Sequence, residues 1–133
     1  MSKRHALTFT ANAGNIDVLG HVNNAVWVQW MEAIATAHWE TVANAAQQAA
    51  FFWVVTRHEI DYRGNIREGE SVTAETFVPD APRGARFDRR VDFRNSVGKV
   101  IVSARTQWVL IEQASGRIQR VPAEVAALFQ EAD

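Results

Sequence analysis

The sequence predicts an α+β domain in which one long helix lies against a face of an antiparallel sheet. Three observations point there. Residues 24–48 run without glycine or proline and are mostly apolar. Residues 85–94 alternate, with Phe87, Arg89, Val91 and Phe93 on one side and Asp88, Arg90, Asp92 and Arg94 on the other, the period-two pattern of a half-buried strand. Turn-forming residues (Pro79, Pro82 and Gly84, then Ser96-Val97-Gly98, then Gly116) separate the later apolar segments into short units. A chain of 133 residues fits a single domain over 1–133 with its own core.

Taken in order, residues 7–13 form a short strand and 14–23 a loop holding Gly14 and Gly20. The helix is expected from about Asn24 to about Gln48, with Asn23 or Asn24 as its N-cap, since either side chain can accept from a free N–H of the first turn. Gln29, Glu32, Thr36 and Glu40 make one narrow polar stripe on an otherwise apolar cylinder. Such a helix is expected to be surrounded on most sides, and a curved sheet is the simplest surround. Strands are expected at 52–63, 70–78, 85–94 and 99–112, the last with Val100, Val102, Ala104, Trp108 and Leu110 on one face. Pro122 starts a short helix reaching Phe129.

Composition narrows the function. Hydrophobic content is 47%, charged content 22% and net charge −1, which argues against a nucleic-acid partner bound through a basic surface. With no cysteine, disulfides, zinc–thiolate sites and thiol nucleophiles are excluded. The first residues contain no apolar signal-peptide core. Residues 25–50 are interrupted by Gln29, Glu32, His38 and Glu40, so no membrane span is expected; a cytoplasmic protein is. Twelve arginines stand against two lysines. Codon bias explains most of that, but arginine also suits phosphate.

The stretch DVLGHVNN, residues 17–24, is richer than a helix start requires. Asp17 is the first carboxylate of the chain, seven residues before the helix. Gly20 lets a ligand approach the backbone closely. The N–H groups near Asn23 and Asn24 are unpaired donors at a positive helix end. A carboxylate beside such donors is the pairing that acyl transfer needs: a base or nucleophile, and donors for the carbonyl oxygen. His21 could orient a group or shuttle a proton. The same residues, on spacing alone, also serve as ordinary helix caps.

Asp17-x-x-Gly20-His21-Val22-Asn23-Asn24, followed by Trp27, Trp30 and Glu32, resembles the signature of the 4-hydroxybenzoyl-CoA thioesterase-like acyl-CoA thioesterases of the hotdog fold. Val55-Thr56-Arg57-His58-Glu59-Ile60-Asp61-Tyr62 with Gly69-Glu70, and Thr106-Gln107-Trp108-Val109-Leu110 with Gly116 and Pro122, are similar to later segments of that family in the same order. The resemblance implies a long central helix wrapped by a five-stranded antiparallel sheet, paired into a homodimer or homotetramer with sites at the interface. It implies Asp17 as nucleophile or general base, the Asn24 N–H polarising the thioester carbonyl, and His21 beside them. Gly20, Val22 and Asn23 would line the reacting end, and His58, Glu59 and Ile60 the pantetheine tunnel. Trp27 stands where relatives often have tyrosine, and would reshape the acyl pocket. No metal or redox cofactor is implied; coenzyme A arrives as part of the acyl-CoA substrate.

Arg86, Arg89, Arg90 and Arg94 are the candidates for the CoA phosphates, Arg89 and Arg90 foremost, against the simpler alternative of cross-strand ion pairs with Asp88 and Asp92. His58 and Glu59 point to opposite faces of a strand and cannot act as an acid–base pair. The competing function is a non-catalytic module on the same fold that binds an acyl-CoA or acyl-carrier-protein ligand.

Overall fold

The computed structural model describes residues 3–130. Five strands, β1 (His5–Thr10), β2 (Phe51–Tyr62), β3 (Ser71–Phe77), β4 (Arg86–Arg94) and β5 (Val100–Glu112), form one antiparallel sheet in the order β1-β3-β4-β5-β2. Helix α1 (Asn24–Val42) lies on its concave face, followed by α2 (Ala45–Ala50); α3 (Ala123–Ala126) closes one end. This is the α+β arrangement the periodicities predict.

The alternation in β4 is realised in full: Phe87, Arg89, Val91 and Phe93 are buried. In β2 it is broken once. The register to β5 shifts between Val55 and Arg57, so Phe51, Trp53 and Val55 face inward before the shift and His58 and Ile60 after it. A bulge of this kind changes which parity faces the core.

Two apolar clusters sit between α1 and the sheet. Under the first half of α1, Trp27, Trp30, Met31 and Ile34 pack on Val72, Val91, Phe93 and Val102. Trp27 stands edge-on to Trp30 at 5.2 Å and to Phe93 at 5.0 Å. Under the second half, Val78, Phe87, Leu110, Val125 and Phe129 gather with the partly buried Trp39 and Trp53. Each such side chain, fully buried, contributes about 1.5–3 kcal/mol.

The long helix departs from expectation in two ways. It stops at Val42, and a separate α2 begins after Asn44, whose side chain accepts from the Gln47 N–H while Gln47 Oε1 accepts from the Asn44 N–H. This reciprocal cap outcompetes continuation of α1. The helix is also not surrounded on most sides: Ala25, Gln29, Glu32, Ala33, Thr36 and Glu40 all lie open, a face wider than the polar stripe, because one sheet covers only one side of a cylinder. Among the described residues no helix is long and apolar enough to cross a membrane.

Phe93→Ala is expected to destabilise the fold by about 3–5 kcal/mol, read as a lowered urea midpoint. Asn44→Ala is expected to cost about 1 kcal/mol, with the lost hydrogen-exchange protection confined to residues 45–50.

Candidate active site

The loop before α1 is built around Asp17. Its backbone N–H donates to the His21 carbonyl at 2.8 Å, and its Oδ1 accepts from the N–H groups of Leu19 at 2.9 Å and His21 at 3.2 Å. Gly20 takes a φ of +79° to close this turn, a conformation disfavoured for residues with a Cβ. Oδ2 of the half-buried Asp17 accepts no hydrogen bond among the described residues. Val18 and Leu19 at the loop tip are exposed.

Asn23 is the N-cap: its side chain accepts from the Ala25 N–H at 2.9 Å and its carbonyl from Val26. The Asn24 N–H is therefore the first-turn donor left without a partner among the described residues. The Asn23 N–H donates to the Asn15 carbonyl at 2.9 Å, tying the helix start to the base of the Asp17 loop. Thus Asp17, Gly20 and His21 share one hydrogen-bonded loop, and Asn23 and Asn24 begin the helix that follows it.

The loop's second wall was not anticipated from the sequence. Asn65 Oδ1 accepts from the N–H groups of Val22 at 3.0 Å and Ile66 at 2.8 Å, and its Nδ2 donates to the Val22 carbonyl at 3.3 Å. A Cβ added at Gly20 would lie 3.3 Å from Arg67 Nη1, so Arg67 is the cation at the loop. Both belong to the connection after β2, where only the asparagine next to a glycine hinted at a special role.

Other expected site residues lie elsewhere. Val22 is buried, with its backbone rather than its side chain engaged by Asn65. Trp27 is fully buried in the first core cluster, so it shapes packing and not an acyl pocket; its position one turn into α1 points it down at the sheet. His58 faces inward, Nδ1 2.9 Å from Thr106 Oγ1, while Glu59 is exposed on the opposite face and pairs with Arg57 at 2.7 Å. Ile60 packs against the first cluster.

Arg89 is no surface phosphate ligand. It is buried beneath α1, because its β4 position carries the parity of Phe87 and Val91. Its Nη1 donates to His38 Nδ1 at 2.9 Å and to Thr76 Oγ1 at 3.0 Å, which makes His38 the tautomer protonated on Nε2. Burial, then the charge of Arg89, then His5 hold the His38 pKa down to about 3. Burial lowers that of Arg89 to about 9, so Arg89 remains a cation at neutral pH. Arg90 faces the opposite, outer side, with a buried Nε that has no partner among the described residues. Arg86 forms two hydrogen bonds with Asp88 of the same strand, at 2.9 and 2.8 Å, and Arg105 approaches Asp88 across to β5 at 3.3 Å; the expected cross-strand pairing of Arg90 and Arg94 is not what forms among the described residues, Arg94 donating instead to the Gly98 carbonyl.

A cavity of about 220 Å³ opens between the second half of α1 and the sheet, lined by Trp39, Trp53, Phe87, Arg89, Trp108 and Phe129 among others. On the outer face, Arg57, Arg83, Arg86 and Arg105 surround a polar depression with Glu59 and Gln107. Among the described residues no cluster of three or more His, Asp or Glu side chains is arranged to hold a metal ion.

Helix, sheet order and the loop at the helix N-terminus together define a thioesterase domain of the hotdog fold. The chain belongs to the acyl-ACP thioesterase family: the family profile of the acyl-ACP thioesterase N-terminal domain matches residues 2–129. The resemblance of the Asp17 motif to hotdog thioesterases is borne out at that level. No curated protein matches the sequence. Among solved structures, the chain is similar to a proposed oleoyl thioesterase from Lactobacillus plantarum (TM-score 0.85, 17% identity), covering 99% of this chain and 54% of that one. A hypothetical protein from Staphylococcus aureus in complex with CoA gives a TM-score of 0.82 at 13% identity, over 100% of this chain and 89% of that one. A 1,4-dihydroxy-2-naphthoyl-CoA thioesterase from Synechocystis gives 0.80 at 12% identity, over 95% of each. The chain thus spans about half the length of the first of these.

Asn65→Ala is expected to cost about 1–3 kcal/mol, since it strands the Ile66 N–H and leaves the Val22 N–H only its bond to the Ile66 carbonyl at 3.3 Å; the urea midpoint reads this. The unfolded chain protonates His38 near 6.5, whereas the folded protein keeps it neutral down to about 3. Between those values the unfolded state binds more protons, so the His38 contribution is full above 6.5 and is lost as pH falls toward 3. His38→Gln keeps an acceptor for Arg89 and is expected to flatten that part of the stability–pH curve.

Proposed function

We propose that this chain hydrolyses an acyl thioester carried on phosphopantetheine, acyl-CoA in the first instance, with the Asp17 carboxylate and the Asn24 N–H as the reacting pair. The observation that carries the reading is the unpartnered Asn24 donor at the start of a 19-residue helix, tied through Asn23 and Asn15 to the loop that holds Asp17. The helix end favours negative charge on the carbonyl oxygen as it becomes tetrahedral. As general base, Asp17 takes a proton from water while the water oxygen bonds to the carbonyl carbon. As nucleophile, Asp17 bonds to that carbon itself, and water then cleaves the resulting anhydride. On either route the carbon–sulfur bond breaks, the thiol leaves with a proton, and the products are a free acid and coenzyme A. No metal or redox cofactor takes part, and His21, in the same loop, orients a reacting group or shuttles the proton.

The active form is proposed as a homodimer, or a tetramer of such dimers, paired through β2. That strand is twelve residues long and stands at an open edge of the sheet, a template for a further strand. Its Tyr62 end lies at the helix start, with the hydroxyl 3.5 Å from the Asn24 carbonyl, and its Phe52–Trp53 end lies at the cavity. Antiparallel pairing about the middle of β2 would set the cavity of one subunit beside the Asp17 loop of the other and cover Val18 and Leu19. The outer arginine depression suits the CoA phosphates.

A second reading has its own observation. Asp17 Oδ1 already closes a local turn, which a non-catalytic acyl-CoA or acyl-carrier-protein binding module would also need. Thiol release from short, medium, long and aromatic acyl-CoAs decides between them. Hydrolysis is expected, reduced about a hundredfold or more in Asp17→Asn and Asp17→Ala with melting temperature near wild type. Acyl-CoA binding without turnover would support the module; turnover that survives Asp17→Ala would overturn the mechanism.

A further inference from the structure

The cavity under the second half of α1 holds a buried cation among apolar and aromatic walls. Arg89 lines it, 6% exposed, and only its Nη1 makes hydrogen bonds among the described residues. No carboxylate of the described residues pairs with it. Among the described residues its charge faces the Phe129 ring, 5.2 Å away, and a neutral histidine. Burying a cation without an anion beside it is unfavourable. The rest of the lining is apolar or aromatic apart from the single hydroxyl of Thr36.

The geometry points to a ligand that is apolar along its length and ends in a carboxylate, its oxygens facing Arg89. Arginine offers a planar, two-pronged match to that group, and the aromatic walls take the methylene chain or ring. Resting on the thioesterase reading, the substrate class is the monothioester of a dicarboxylic acid. Its free carboxylate sits at Arg89, and its thioester reaches the Asp17 loop of the paired subunit. An uncharged acyl tail would leave Arg89 buried and unpaired in the complex.

Two measurements on the full chain test this separately from hydrolysis as such. The first titrates octanoate and 1-octanol against the fluorescence of the cavity tryptophans. Octanoate is expected to bind at least about ten times more tightly than octanol, with the margin kept in part by Arg89→Lys and lost in Arg89→Met. Should Arg89→Met not fold, as judged by its melting transition, Arg89→Gln, which keeps donors toward His38 and Thr76 but no charge, is expected to narrow the same margin. The second compares kcat/KM for suberoyl-CoA and octanoyl-CoA, equal in length and different only in the far carboxylate; a preference of about tenfold or more for suberoyl-CoA is expected, reversed in Arg89→Met. Equal binding of octanoate and octanol, or equal turnover of the two thioesters, overturns the assignment. Arg89-dependent octanoate binding with no thioester turned over would leave the carboxylate site standing and sink the hydrolase reading instead.

Discussion

Everything in this domain depends on the apolar face of α1 pressed into the concave sheet. Trp27, Met31 and Ile34 are the largest fully buried apolar side chains of the helix, and they meet Val72, Val91, Phe93 and Val102 from three adjacent strands. That contact fixes both ends of the helix. Its start is held at the Asp17 loop, so the free donor of Asn24 is aimed by core packing and not by the loop alone. Its second half is held over β4, which creates the cavity. A helix free to slide by one turn would move Asn24 by about 5.4 Å and separate it from the carboxylate it is proposed to serve.

Between the two apolar clusters runs a buried polar seam. Thr106, Arg89, Thr76 and His38 lie across neighbouring strands and the helix, with His5 stacked on His38 at 5.3 Å. The seam is satisfied on the His38 side, where an imidazole kept neutral by burial accepts from the guanidinium. On the cavity side it is open. A fold of this size has little reason to bury, for stability, a cation that meets no carboxylate among the described residues, since apolar replacements of buried ionic groups often stabilise. Recognition explains its presence where packing does not.

The two ends of β2 connect these regions. One end adjoins the helix start and the other the cavity, while the strand itself stands at an open edge of the sheet. The bulge near Thr56 keeps His58 and Ile60 facing inward and leaves Glu59 paired with Arg57 on the outer face. The same strand therefore supplies apolar lining within and charge without, which is what a surface shared by an acyl chain and a phosphorylated carrier requires.

The sequence by itself determined the elements and the loop proposed to react. Period-two alternation at 85–94, turn residues between strands, and the Asp17-to-Asn24 cluster are local signals, because they depend on backbone geometry within a few residues. The break at Asn44 was also local, written in the reciprocal Asn44–Gln47 cap, but it was masked by the unbroken apolar run around it. Only the tertiary structure decided that Trp27 is core, that Asn65 clamps Val22 across 43 positions, and that Arg89 is buried beside His38 from 51 positions away. Alternation does place Arg89 on the inward face. What it cannot say is which helix turn covers that face, because neighbours across a sheet are chosen by how strands order and register, and no short stretch of sequence contains that information.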